Sequence, residues 1–175
     1  IEGLRLVSHA LQRGLEPASA FYSEVLAATA AGERLVERLG SCEATVAWCV
    51  SRGVMKIMSD TVTPQGVLAV MPMQEVPPAV ALRATLLLIL DNIRDPGNLG
   101  TILRTAQATY VEAVVLSRGC VDPYSPKVVR AAMGAHFALP LLHGATWQTI
   151  EKLVSGKRCV LADARAQLTP WEFDW

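Results

Sequence analysis

The chain has 175 residues, 51% of them hydrophobic, which is enough for one or two small domains with a real core. Lys plus Arg and Asp plus Glu both number 16, so the formal charge is zero and a whole-protein polycation is excluded, while a local basic face is not. Up to Leu82 there are 6 basic and 8 acidic residues, and after it 10 basic and 8 acidic, which favours the second half for contact with a polyanion.

No apolar run reaches about 18 residues, so no membrane span and no membrane partner are expected, and no signal peptide is visible. Cys42, Cys49, Cys120 and Cys159 form no C-x-x-C pair, and His9, His136 and His143 do not cluster with them. Neither a metal site nor a disulfide framework is expected. Ordinary buried thiols in a reducing compartment are.

In chain order, "GLRLVSHALQRG" places Leu4, Val7, Leu11 and Leu15 at helical spacing, closed by Gly14. "ASAFYSEVL" predicts a short strand, or a strand running into a helix. "GERLVERLG" predicts a helix between two glycines. "VAWCVSRGVMKIM" is ambiguous between strand and helix. "VTPQGVLAVMPM" predicts a turn and then a strand. "QEVPPAVAL", residues 74–82, carries two adjacent prolines and reads as a stiff, extended linker between a unit at 1–73 and one at 83–175.

The second unit alternates. Strands are predicted at 84–90, 113–117, 137–142 and 158–162, and helices at 98–108, 126–133 and 146–154. This order argues for an α/β fold with a parallel sheet covered on both faces. Ligands of such sheets bind at the carboxyl ends of the strands.

One such end carries "LLLILDNIRDPGNLGTILRTAQA", residues 86–108. Pro96-Gly97 marks a turn, and Asn98 is a good cap for the helix that follows. Gly100 removes a side chain, so a ligand could approach the helix start, whose free amides favour an anion. Asn98 and Arg104 are six apart, about 600° around a helix, and border one pocket only if Asn98 lies in the turn. Arg104 brings a permanently charged, forked donor suited to phosphate. A capping Asn and a solvated Arg fit the spacing as well. A Rossmann site does not, because G-x-G-x-x-G is absent.

"NIRDPGNLGTILRTA", with "VDPYSPKVVRAAMGAHFALPLL" at residues 121–142, resembles the SpoU/TrmH family of RNA ribose 2'-O-methyltransferases, within the SPOUT class. The first unit resembles the small α/β, ribosomal-protein-like RNA-binding domain that precedes the catalytic domain in many members, with "TPQGVLAV" as its last strand. The resemblance implies methyl transfer from S-adenosylmethionine to a ribose 2'-hydroxyl of structured RNA, rRNA rather than tRNA, by a homodimer. It assigns Arg104 to activating the hydroxyl with an RNA phosphate and Asn98 to the same pocket. Arg stays protonated and makes a poor base, so orienting a phosphate is the physically easier role.

Arg94, Lys127 and Arg130 are candidate RNA contacts, Lys127 and Arg130 being three apart on one helix face. Ala162, Asp163 and Ala164 fall where the family begins to contact adenosine. His136 is expected to be structural, and Met133 and Phe137 to lie in the core. The family's Gly-x-Glu and Ser-Leu-Asn motifs, which form a trefoil knot and the cofactor pocket, are not in these 175 residues. The SPOUT domain is therefore expected to be incomplete at its C-terminus. A non-catalytic RNA-binding protein, or a truncated inactive form, is the alternative. The expected compartment is a bacterial cytoplasm, with the mitochondrial matrix as the alternative.

Overall fold

The computed structural model describes residues 1–73, 76–163, 165–169 and 171–173. The first unit runs α1 (Leu4–Gln12), β1 (Ser19–Ser23), α2 (Glu24–Ala27), α3 (Ala30–Gly40), β2 (Val46–Val50), α4 (Arg52–Met58) and β3 (Val67–Val70). Helix α1 buries Val7, Ala10 and Leu11, and the chain turns away at Gly14 with φ +73. The ambiguous "VAWCVSRGVMKIM" is a strand and then a helix. Ser51 divides them, its hydroxyl accepting from the Val54 amide as an N-cap.

The sheet order is β2-β1-β3, with β1 parallel to β2 and antiparallel to β3. One face packs on α1 and α3, where Val7, Leu11, Leu35 and Leu39 meet Ala20, Val67 and Ala69.

The second unit runs α5 (Pro78–Arg83), β4 (Leu87–Leu90), α6 (Pro96–Ala108), β5 (Ala113–Ser117), α7 (Pro126–Ala132), a 3-10 turn at Ala135–Phe137, β6 (Leu141–Ala145) and α8 (Trp147–Val154). Strands β4, β5 and β6 lie in that order, all parallel. All five residues of β5 are buried, because the sheet is covered on both faces. Val114 and Leu116 pack with Leu99, Leu103 and Val128 of α6 and α7. Val115 packs with Ala81 of α5 and with Ile150 and Leu153 of α8.

Several expectations need correction. Pro78–Arg83 is helical rather than extended, with Pro78 at a first-turn position where its missing N–H costs nothing. The predicted strand at 137–142 lies at Leu141–Ala145, because Ala135–Phe137 forms a helical turn first. Residues 158–162 form no strand and are exposed. No cysteine is buried: Cys42 and Cys120 are half-buried, and Cys49 and Cys159 are exposed. Met133 is exposed and left-handed (φ 53), where it ends α7, instead of lying in the core.

Gly100 serves packing, not ligand approach. It is buried, and a Cβ there would fall 2.4 Å from Ala131 Cβ and 2.9 Å from the Val128 carbonyl oxygen. Its absent side chain lets α6 and α7 touch. Gly100→Ala should therefore destabilise the chain by about 1–3 kcal/mol in urea unfolding. Gly40→Ala, at the end of α3 where a Cβ meets nothing within 4 Å, should be neutral or stabilising by up to about 1 kcal/mol.

Candidate functional site

The carboxyl ends of β4 and β5 lie side by side, Leu90 opposite Leu116. The loop leaving β4 is pinned to the loop leaving β5. The Asn92 amide donates to Ser117 Oγ (3.2 Å), and the Ile93 amide to Cys120 Sγ (3.4 Å). The Cys120 thiol donates to the Leu90 carbonyl (3.3 Å), and the Val121 amide to the Ile93 carbonyl (2.8 Å). Asn92 takes a left-handed conformation (φ 55), which this residue type tolerates. Its Oδ1 accepts from Arg94 Nε at 3.0 Å, so Arg94 is aimed from a fixed loop. Ser117 and Cys120 escaped the sequence reading, since their spacing carries no signal until the loop they hold is seen.

Asn98 is not the helix cap. Asp95 is, and its carboxylate accepts from the Asn98 amide at 2.7 Å. The helix start is thus already satisfied by a negative charge, and it is not a free anion site. Asn98 lies inside the first turn of α6. Arg104 follows roughly 9 Å further along the axis and about 120° around it. Among the described residues no hydrogen bond joins the two side chains. They flank an exposed arc of α6 that also holds Thr101 and Thr105, while Leu99, Leu103 and Ala106 face the core. Among the described residues no hydrogen bond or ion pair engages the Arg104 side chain, and the same is true of exposed Lys127 on α7.

Arg130 is diverted. Its Nη1 pairs with Asp60 Oδ2 of the first unit at 2.9 Å. Arg130 is partly and Asp60 largely open to solvent, so the pair contributes under about 1 kcal/mol. It sits on the rim of a cleft of about 520 Å³ between the units, lined by Met58, Met71 and Met73 on one side and by Tyr124, Val129 and Phe137 on the other.

His136 is half-buried and held through one ring nitrogen only. Its Nε2 donates to the Pro123 carbonyl at 2.7 Å, and its ring tilts against Tyr124. Its Nδ1 is enclosed without a partner. Burial pulls the ring below the ordinary histidine value, against the opposing pull of the Pro123 carbonyl and Asp122. Burial likewise raises the Tyr124 hydroxyl above its usual range, with Asp122 adding to it.

Ala162 and Asp163 lie exposed on a stretch without regular structure, and Ala164 falls outside the described residues. Asp163 accepts from the Arg165 amide at 2.8 Å, which holds its carboxyl below the usual carboxylate range. The described residues of this stretch build no enclosure for a nucleoside. No group of His, Cys, Asp and Glu among the described residues could hold a metal ion.

Charging the His136 ring would place a proton on an enclosed nitrogen with no acceptor. Its folded value is lowered, so its contribution to stability is present above about pH 6.5 and is lost as the pH falls through the folded value. Urea midpoints measured between about pH 7.5 and pH 5 should fall for the native chain, and His136→Gln should flatten that slope.

Two families match the chain: the MRM3-like substrate binding domain over residues 1–69, and the SpoU rRNA Methylase family over residues 85–175. The rRNA methyltransferase 3, mitochondrial, of Mus musculus is 40% identical over 156 residues, which cover 86% of this chain and 36% of that protein. The 23S rRNA (guanosine(2553)-2'-O)-methyltransferase RlmP of Bacillus subtilis is 39% identical over 95 residues, or 54% of this chain and 37% of that protein. The crystal structure of the AdoMet-bound rRNA methyltransferase from Sinorhizobium meliloti has a TM-score of 0.71 at 29% identity, covering 87% of this chain and 56% of that one. The chain spans about a third of the length of the curated relatives it matches. With its parallel sheet, its pinned strand-end loop and a family match over more than half its length, this chain belongs to the SpoU rRNA Methylase family.

Proposed function

We propose that the chain supplies the RNA-binding unit and the first part of the catalytic unit of an enzyme that methylates a ribose 2'-hydroxyl of structured RNA, rRNA rather than tRNA. S-adenosylmethionine supplies the methyl group when bound. The division at 1–73, 74–82 and 83–175 is part of the proposal, supported by family matches that end at residue 69 and begin at residue 85.

The observation that carries the reading is the unengaged guanidinium of Arg104 on the solvent face of α6. It stays charged at any working pH and presents a fork that fits a phosphate. Holding an RNA phosphate there would fix the neighbouring ribose and so orient its hydroxyl for attack. Lys127 is a second open cation for the backbone. Arg94 keeps its terminal nitrogens available while Nε holds it to Asn92. Arg130 has one terminal nitrogen engaged by Asp60, which offsets part of its charge towards RNA. Asn98 borders the same arc from the other side.

Arg104 is exposed and no described residue bonds its side chain, so a site built around it needs another surface to complete it. A homodimer with a knotted C-terminal region supplies one, and both belong to this proposal. Its compartment is a bacterial cytoplasm or a mitochondrial matrix. The relatives' names include a mitochondrial protein and a bacterial one.

The open stretch at 158–163 favours a second reading, an RNA-binding chain without cofactor affinity. Calorimetric titration of the full-length protein, with the C-terminal region this proposal includes, separates the two: binding of S-adenosylmethionine supports the enzyme, and its absence supports the second reading. In the same full-length protein Arg104→Ala should lower ribose methylation, read by mass spectrometry of digested RNA, about a hundredfold with unfolding unchanged. RNA affinity should fall with salt, and Arg104→Ala and Lys127→Ala should each reduce the slope of log K against log salt by about 1.

A further inference from the structure

Phe21 and Trp48 are register partners on β1 and β2. Their rings stack at 5.1 Å between centroids, 15° from parallel. They lie on the sheet face opposite the one that packs on α1 and α3, since Ala20 and Tyr22, their neighbours along β1, point into that core. Trp48 is 45% exposed even though it is stacked, so an indole face stands open to solvent. Val46 beside it on the same strand is also exposed. Strand β2 is the edge of its sheet, so backbone donors and acceptors line the platform. From Ala44 through Ser59 the chain carries Arg52 and Lys56 and no carboxylate. Both cations are exposed on or beside α4, the helix that follows β2 and contacts β1.

We infer that the Phe21–Trp48 pair is a stacking platform for an unpaired nucleobase of the RNA, with Arg52 and Lys56 holding the phosphates on either side. This rests on the RNA-directed reading above and adds a subsite to it. A flat aromatic face at a sheet edge accepts any base by stacking, and the surrounding positive charge matches a sugar–phosphate chain. A protein partner would use the same apolar surface, but Arg52 and Lys56, with no carboxylate between Ala44 and Ser59, favour the polyanion.

The test uses the 175-residue chain and two probes: a hairpin RNA with an unpaired, adenine-rich loop, and the fully paired duplex of its stem. The native chain should bind the hairpin with quenching of tryptophan fluorescence. Trp48→Ala should weaken hairpin binding about tenfold and leave duplex binding nearly unchanged. Trp48→Tyr, which keeps a stacking face, should restore most of the loss. Equal hairpin affinity for the native chain and Trp48→Ala, with unchanged circular dichroism, overturns the platform alone. A changed sedimentation coefficient in Trp48→Ala with intact RNA affinity also overturns it, and marks the surface as a protein interface. Failure of the native chain to bind either RNA overturns the RNA-directed reading itself.

Discussion

Helices α6 and α7 meet at a point where one of them has no side chain. With Gly100 against Ala131 and the Val128 carbonyl, the two helices share one apolar layer over β4 and β5, built from Leu99, Leu103, Val128 and Ala132. Every cation assigned to RNA on the second half depends on that contact. Arg104 is carried on the far side of α6, Lys127 and Arg130 project from α7, and the loop with Arg94 leads into α6. A shift between the helices would move Arg94 and Arg104 relative to Lys127 and Arg130.

A second constraint is the way the loop after β4 is held. Its amides are bound by a serine hydroxyl from the end of β5 and a cysteine sulfur from the loop that follows, and Asp95 caps the helix it enters. The loop's polar groups are thus largely committed to its own shape. This separates two roles that a motif presents as one: "DNIRDPG" fixes a backbone, while the open side chains on the helices around it make the chemical surface.

The alternation of strands and helices was legible because parallel strands buried on both faces leave continuous apolar runs, as in β5. The ends of the elements were not. Capping depends on which of several polar residues reaches a given amide, and Asp95 outcompetes Asn98 three residues on. Gly100 reads the same whether a ligand or a helix occupies the space it leaves, and only the neighbouring backbone tells them apart. The exposed stretch at 158–163 has the apolar Val160 and Leu161 of a strand, but no strand pairs with it. Arg104 was found by resemblance, and the structure adds that no described residue competes for its guanidinium. Trp48 passed unnoticed because a single aromatic in an ambiguous run has no pattern; its exposure and its stack on Phe21 appear only when two strands are paired.

The first unit closes on itself early in the chain. Strand β3 docks beside β1, while the Gly3 amide bonds the Val67 carbonyl and the Ala69 amide bonds the Ile1 carbonyl, so both ends of the unit meet on one strand. No pairing in its sheet waits for anything beyond Val70. On a ribosome this unit can reach its native topology while the parallel sheet of the second, with each strand separated from its neighbour by a whole helix, is still being made. Synthesis order then gives the slower half a folded neighbour to settle against, joined through Asp60 and Arg130.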